Sequence, residues 1–526
     1  MGVEAVADRL GDRFSLLTHG SRTALPRHQT LRALVDWSHG LLTPVEQALL
    51  RRLSVFSDGW TADAAEAVCA DAAVPAHQVL DLLAQLVDKS LVVHEDADAD
   101  GAPRYSMLET IRQYAAEQLR STGEQATLEV RYLQHMAAFA ESMRSVLVLQ
   151  DREARWARQV DAELGNLRAA LQAAQQPHAA ELGLQIISAL HRYWYQAMLW
   201  RETVERIERL LAAAASLGEG PTPAQALGCY VAGMLATNYD PVAGRRFCNE
   251  GLARAQRIGF DEGIAKCTMW LAHLDARRRD PATRDLFRTC LSLGPRIDDD
   301  LERAQFLMLT LVCKAGFEAL MHHDGEAEAA VAECERVNDG IGGVYLFRGH
   351  CRALLGTLAT RRGDLSRAER WLSESLAFYR AIGSTFDVAG SLVQQGFLAL
   401  RLGRPREGLA LFKESLPLHG TYIYSPWVTR SLAHLTIALA ACQCWHAAVR
   451  LAGALGQRSV AANAQPGIPS VISGAVAKAY EDALKDAFRA LALERAETEL
   501  TAGANMSRED LIAFALAAEP HESRSA

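Results

Sequence analysis

Nowhere in its 526 residues does the sequence contain a Gly-x-x-x-x-Gly-Lys-Ser/Thr run. It therefore lacks the loop whose backbone amides cradle phosphates and whose hydroxyl holds Mg²⁺. His-Glu-x-x-His, Gly-x-Ser-x-Gly and zinc-spaced Cys/His sets are also absent, so no catalytic residue and no metal ligand is expected, and the chain does not read as an enzyme. None of the ten cysteines stands in a Cys-x-x-Cys pair, which argues for reduced thiols rather than a disulfide framework. Cys442 and Cys444, placed on one helix, would point about 160° apart, a poor geometry for chelation. The longest charge-free runs, Ser431–Val449 and Ser459–Ala477, are interrupted by His434, Gln443 and His446 and by Pro466, Gly467 and Pro469. Neither makes a membrane helix. The N-terminus, Met-Gly-Val-Glu-Ala-Val-Ala-Asp, carries acids and no apolar stretch of a signal peptide, so a soluble cytoplasmic protein is expected.

The length implies two or three domains. With 49% hydrophobic and 22% charged residues and a net charge of −8, the composition is that of a soluble globular chain without a global pull toward nucleic acid. Residues 1–122 form a head. Val3–Leu17 has helical spacing, and Gly20–His28 reads as an irregular basic loop. Thr30–Leu41 follows, with Leu31, Leu34, Val35 and Leu41 on one stripe. Thr43, Pro44 and Glu46 make a capping box for a helix carrying Leu49, Leu50 and Leu53. Ala62–Ala70 and Pro75–Lys89 are two more helices. Ser90–Glu95 and Arg104–Met107 then flank the acidic loop Asp96–Gly101 as a β-hairpin. Helices followed by a two-stranded wing outline a winged helix.

Such a module invites a DNA-binding reading, yet from Leu53 through Asp88 there is no Lys or Arg. Asp58, Asp63, Glu66, Asp71, Asp81 and Asp88 all lie in that span. A helix that enters the major groove needs basic side chains for phosphates and base edges, so the charge argues against direct DNA reading.

The run Asp12-Arg-Phe, Gly20-Ser-Arg-Thr-Ala-Leu-Pro-Arg-His-Gln-Thr-Leu-Arg32, Asp36-Trp-Ser and Leu41-Leu-Thr-Pro-Val-Glu46, continuing to Phe56 and to Asn166-Leu-Arg-Ala-Ala-Leu171, resembles one bacterial family. These are the STAND-class transcriptional regulators, large ATP-binding proteins of the AfsR and LuxR type. The resemblance implies a winged helix that clamps the nucleotide of a preceding P-loop domain, followed by a helical-repeat sensor. It places Met1 just after the nucleotide domain, so no cofactor is expected in this chain, and ATP or ADP enters only if an NTPase domain or subunit is supplied upstream or on a separate chain. In related proteins a Met-His-Asp motif lies where the wing meets the next helix, its histidine touching the nucleotide. The matching positions here are Met107, Leu108 and Glu109, and Leu108 has no phosphate donor. Met107 and Leu108 then read as core, Glu109 as a helix N-terminal acid. Arg27 and His28 could meet a phosphate in the complete architecture; otherwise they belong to a solvated loop.

The arm is almost all helix. Leu128–Val148 and Glu153–Ala174 are connecting helices within residues 123–182. In 183–457, Gly356, Gly363-Asp364, Ala368, Leu372 and Ser375-Leu376 recur forty residues later as Gly396, Gly403-Arg404, Gly408, Phe412 and Ser415-Leu416. Turns recur at Asp240-Pro241, Asp280-Pro281, His323-Asp324 and near Gln443. This is a tetratricopeptide-like pattern with a period longer than the usual ~34, giving an α-solenoid of about six or seven helix pairs. Closing helices follow in 458–518, before a disordered tail, 519–526. The overall class is mostly α, a winged-helix head with a small hairpin ahead of the solenoid. Solenoid grooves bind partners, so Trp194, Trp200, Trp270, Arg277, Tyr379 and Trp427 are candidates to line a groove for a protein or small effector. The expected function is a non-catalytic regulatory protein that senses a ligand in its repeats. A DNA-binding regulator and an ATP-dependent regulator are the alternatives.

Overall fold

The computed structural model describes residues 26–95, 103–145, 152–418, 426–460 and 474–519. Its contacts group the chain into two units. The first comprises Met1–Val146, Arg155–His191 and Thr203–Val231; the second comprises Leu147–Ala154, Arg192–Glu202 and Ala232–Ala526. The expected helix Val3–Leu17, the loop Asp96–Gly101 and nearly all of the tail lie outside the described residues.

The first unit opens with α1 (Pro26–Gly40). The basic segment thus ends sooner than expected, because proline at a first helical position is preorganised for the helix. Arg27 and His28 sit in the first turn of α1, with side chains outside the described residues. The stripe on this helix is also rotated from the expected one. Val35 is buried, but Leu34 and Leu41 are 59% and 61% exposed. The face that docks is Arg32, Val35 and His39, with Arg32 paired to Glu117 at 2.8 Å and His39 edge-on to Tyr114.

The capping box of α2 (Pro44–Leu53) forms as expected. Glu46 N–H donates to Thr43 Oγ1 at 3.3 Å, and Thr43 N–H donates to the Glu46 carboxylate at 2.7 Å. Leu49, Leu50 and Leu53 are fully buried. Strand β1 (Trp60–Thr61), α3 (Ala62–Cys69) and, after a 3₁₀ turn, α4 (Val79–Asp88) come next. The wing pairs β2 (Val93–Glu95) antiparallel with β3 (Arg104–Ser106), and β1 adds unexpectedly to the other edge of β3.

A charge network ties α2 to the loop after α3 and to the junction of the next two helices. Arg52 is 5% exposed and grips Asp71 through two 2.8 Å bonds. Glu124, between α5 (Glu109–Thr122) and α6 (Gln125–Ser145), accepts from Arg51 at 2.9 and 3.0 Å and from Arg52 at 3.3 Å. These hydrogen bonds hold both carboxyls down at about 2, Asp71 through Arg52 and Glu124 chiefly through Arg51. A carboxylate whose pKa is depressed on folding stabilises the fold above its unfolded value and loses that contribution as pH falls through the folded one. Melting of the head should therefore be flat near neutrality and fall from about pH 4.5 toward 2. In Arg52→Met that acid slope should shrink, as differential scanning calorimetry across the range would show.

Beyond α6, the expected helix Glu153–Ala174 is two helices, α7 (Arg152–Ala162) and α8 (Leu164–Ala173). The break falls at Glu163, whose backbone (φ −104°, ψ 6°) leaves the helical range. Then come α9 (Ala180–Ala189), α10 (His191–Gln196), α11 (Trp200–Ala215) and α12 (Pro223–Ala236), the last three divided between the units.

In the second unit α13 (Pro241–Ile258) precedes five antiparallel helix pairs. They are α14 (Asp261–Ala276) with α15 (Thr283–Leu293), α16 (Asp300–Leu320) with α17 (Asp324–Gly340), and α18 (Tyr345–Arg362) with α19 (Leu365–Ala381). The others are α20 (Thr385–Arg401) with α21 (Pro405–Leu418), and α22 (Pro426–Ala441) with α23 (Trp445–Val460). Each pair turns on one left-handed residue: Arg279, His322, Gly363, Gly403 and Gln443, with φ between 57° and 83°. Cys442 and Cys444 therefore flank a turn instead of sharing a helix.

An L-residue held left-handed costs roughly 1–2 kcal/mol, a cost glycine escapes. His322→Gly should gain a fraction of that, because glycine also gives up chain entropy on folding. Gly363→Ala, which would meet no neighbouring atom, should lose about 1 kcal/mol by the strain alone. Urea titration of the three proteins checks the opposite signs.

The forty-residue pattern has a direct packing cause. Ser375 Oγ donates to Gly349 O at 3.0 Å, and Ser415 Oγ repeats this to Ala389 O at 3.1 Å one pair later. At Gly396 a Cβ would lie 2.5 Å from the Phe412 ring, so only glycine lets the ring of α21 rest on α20. The closing helices α24 (Gly474–Ala490), α25 (Leu493–Ala504) and α26 (Arg508–Ala517) complete the last core, where Tyr480 and Leu511 join Leu432, Leu435 and Leu455. The expected single helix Ala475–Leu500 is broken between α24 and α25. Among the described residues no helix is long and apolar enough to cross a membrane.

Candidate functional site

Two places could carry function, the joint from β3 into α5 and the inner face of the helix pairs. At the joint Met107 is half-buried, and Leu108 is 60% exposed instead of core. Leu108 is the last residue before the helix, and its extended backbone (φ −57°, ψ 137°) turns the side chain outward. Glu109 opens α5 and accepts from Arg112 and Gln113, each at 2.8 Å, so it acts as a helix-start acid.

The joint's firmest contacts are made a few residues earlier. Arg104 pairs with Glu163 and donates to Ala162 O at 3.1 Å and Asp58 O at 3.2 Å. Beside it Asn166 is fully buried. Its Oδ1 accepts from Ser57 N–H at 2.8 Å, and its Nδ2 donates to Gly59 O at 2.8 Å and to Glu163 at 2.6 Å. Tyr132 Oη donates to the Asn166 carbonyl at 2.8 Å. The break at Glu163 is what turns Asn166 toward the head.

In the second unit the first helices of successive pairs share a face. His273 Nδ1 near the end of α14 lies 3.5 Å from the Cys313 thiol of α16. His350 of α18 lies 3.4 Å from Asp387 of α20, whose other oxygen accepts from Ser384 Oγ at 2.6 Å. Tyr195 and Trp200, from the Arg192–Glu202 segment, pack edge-on against Phe386 at 5.6 and 5.9 Å between ring centres. All of these but Trp200 and Ser384 are half-buried, neither core nor free surface.

Burial and neighbouring charges shift several of these groups. Burial, and then the nearby Arg277, bring His273 down to about 4. Burial pushes the Cys313 thiol up to about 12 against the pull of Arg277. Burial lowers Arg192 to about 10, partly offset by Asp387. Asp387 itself stays below its ordinary value: burial would raise it, but His350, Ser384 and Arg192 together outweigh that. Arg430 of α22 is lowered by burial and by repulsion from Arg277.

Of the five groove candidates whose side chains are described, Arg277 alone is exposed. Trp194 and Trp270 are buried, Trp270 donating to Thr237 Oγ1 at 3.0 Å. Trp200 is buried but borders the face through Phe386. Tyr379 is buried on α19, a second helix, with its ring 5.5 Å from His350. Trp427 lies in α22 with its side chain outside the described residues. The residues not anticipated were Arg192, His273, Cys313, His350, Asp387 and Arg430. A signal existed: His273, Cys313, His350, Asp387 and Arg430 succeed one another at intervals of 37 to 43 residues, close to the turn period.

Residues 41–120 match the family model of a winged helix-turn-helix domain. A Mycobacterium tuberculosis protein named as an HTH-type transcriptional regulator is 31% identical over 373 residues, 69% of this chain and 41% of that protein. An uncharacterized protein of the same organism is 43% identical over 128 residues, 24% of this chain and 32% of its own length. This chain thus spans less than half the length of the curated relatives it matches. Among solved structures, the STAND protein with a tetratricopeptide repeat sensor from Pyrococcus horikoshii superposes with a TM-score of 0.50 and 12% identity. That superposition covers 88% of this chain and 63% of the other, and shows a shared fold.

Proposed function

This chain has the winged-helix and helical-repeat architecture of the STAND-class regulators, and we propose that it is a regulatory protein whose repeats take up the ligand. The observation that carries this reading is the shared inner face of α14, α16, α18, α20 and α22. Each of those helices contributes one half-buried ionisable side chain to it. Solenoid faces of this kind are where repeat proteins bind. The head, in this reading, is a clamp joined to the connecting helices through Arg104 and Asn166.

A second reading, DNA contact by the head, is favoured by the winged helix-turn-helix match and by the name of the mycobacterial relative. Against it stands the outer face of α4, where Leu80, Asp81, Ala84, Gln85 and Asp88 are exposed and none is basic. Lys89, next to it, pairs with the buried Glu46.

Hydrogen exchange on the full chain, with and without small-molecule and protein fractions of a bacterial extract, tests the first reading. Protection should concentrate on α14, α16, α18, α20 and α22. Selection from random duplexes tests the second. An enriched duplex whose affinity falls steeply with salt would replace the repeat reading with a DNA-reading head.

A further inference from the structure

A crevice of about 410 Å³ opens between α15, α16 and α17, within the second unit. None of the inner-face side chains described above lines it. On α16 its wall is Leu307, Leu311 and Lys314, one stripe at spacings of four and three. On α17 it is Ala330, Glu333 and Val337, at spacings of three and four, and Leu291 of α15 closes a third side. The crevice has a cause in the sequence. Ala327, Ala368 and Gly408 are buried small residues on the second helices of successive pairs. Three residues after each stand Ala330, Trp371 and Leu411. Trp371 and Leu411 pack half-buried against the cores beside them, whereas alanine is too small to do so.

The lining is apolar but for two charged side chains, and one of these is already matched. Glu333 pairs with Arg336 on its own helix. Lys314 is half-buried and, among the described residues, has no ion pair and no hydrogen bond. The turn at His322 explains why: eight residues back is Lys314 and eight forward is Ala330, so an alanine stands across from the cation. Fifteen residues either way are Leu307 and Val337. The crevice therefore runs from an ammonium near the turn to an apolar end about 10 Å along α16. An ammonium partly withdrawn from water favours an anionic partner. Mostly apolar walls with one orienting polar group, in a volume within about 300–1,000 Å³, suit a small molecule.

We propose that this crevice binds a medium-chain aliphatic carboxylate, with the carboxylate on Lys314 and the chain against Leu291, Leu307, Leu311 and Val337. The site goes beyond the reading of the inner face and does not depend on it. Leu291 belongs to the first helix pair and the other walls to the second, so an occupied crevice braces the two pairs against each other.

Isothermal titration of the full chain with hexanoate, octanoate and decanoate, and with decanol, tests this. Each two added methylenes should tighten binding about fifteenfold. Lys314→Met keeps the length of the stem and removes the charge. It should weaken decanoate about tenfold and leave decanol unchanged. Ala330→Trp puts into this pair the residue that the next pair carries, and should abolish binding of both compounds. If that variant does not fold, Ala330→Leu takes its place, with an expected loss of about tenfold or more for both. Decanoate that does not bind, a flat chain-length series, or an undiminished decanoate affinity in Lys314→Met overturns the proposal. Equal losses of decanoate and decanol in Lys314→Met overturn it too, because the cation would then not hold the carboxylate. So does a parent chain that sediments as a dimer and becomes a monomer in Ala330→Trp, since the crevice would then be an interface between copies.

Discussion

Asn166→Asp is expected to destabilise the first unit by about 3 kcal/mol or more, although the two side chains are nearly the same size. The asparagine is fully buried and uses both ends of its amide. Its oxygen takes the Ser57 amide, and its nitrogen donates to the Gly59 carbonyl and to the Glu163 carboxylate. A carboxylate in its place keeps the first bond but points an oxygen at two acceptors, one of them charged. A buried group left facing its own kind costs its full desolvation as well as the lost bonds. The new carboxyl would have its folded pKa raised above its unfolded value, so the penalty should be largest at neutral pH and ease as pH falls. Once protonated it can donate to Gly59 O again. Urea unfolding followed by the fluorescence of Trp60 and Trp156, both buried in this unit, measures the effect. A loss under 1 kcal/mol at pH 7, or one that grows with acid, would show that Asn166 does not hold the head to α7 and α8. The same contact makes the joint mechanical: strand β3 and the Ser57–Gly59 turn bear on one rigid point.

Lys266→Met should cost the second unit roughly 3–5 kcal/mol. Lys266 lies on α14 and is 7% exposed, with its ammonium 2.7 Å from Glu262 on the same helix and 2.7 Å from Glu302 on α16. Burial alone would lower the ammonium's pKa, yet Glu302 and Glu262 raise it above its ordinary value, so the triad is charged in the fold. Removing the cation leaves two carboxylates near each other, and Glu302 is only 4% exposed. Methionine fills the space of the lysine stem, so the loss reports on charge and not on a cavity. Adding Glu302→Gln to Lys266→Met should recover a large part of it, because the amide carries no buried charge. Equal stability of the single and double variants in guanidinium titration would show that the triad is not coupled.

Much of the architecture was legible in the residues because local chemistry decides it. The capping box at Thr43–Glu46, the wing and the turns at forty-residue intervals arise from capping, β-propensity and left-handed backbone needs. The recurring Gly396–Phe412 contact arises from close approach within a pair. These interactions span a few tens of residues at most. The dominant face of α1, the third strand at Trp60–Thr61 and the break at Glu163 were not legible. Each is set by a partner distant in sequence: Tyr114 and Glu117 for α1, Tyr105 for β1, and the Ser57–Gly59 turn for the break.

The candidate site divides in the same way. The periodicity pointed to a solenoid with a groove, and the shortage of basic residues between Leu53 and Asp88 was fully visible. Large aromatic residues were the wrong guide to that surface, because Trp194, Trp270 and Tyr379 are apolar enough to be drawn into the core. What the sequence by itself determined is a winged head and a repeat with a fixed turn. What only the tertiary structure decided is which ionisable side chains meet, His273 with Cys313 and His350 with Asp387. A repeat period sets the spacing of helices along the chain, but the small rotation between pairs, accumulated over five of them, sets who faces whom.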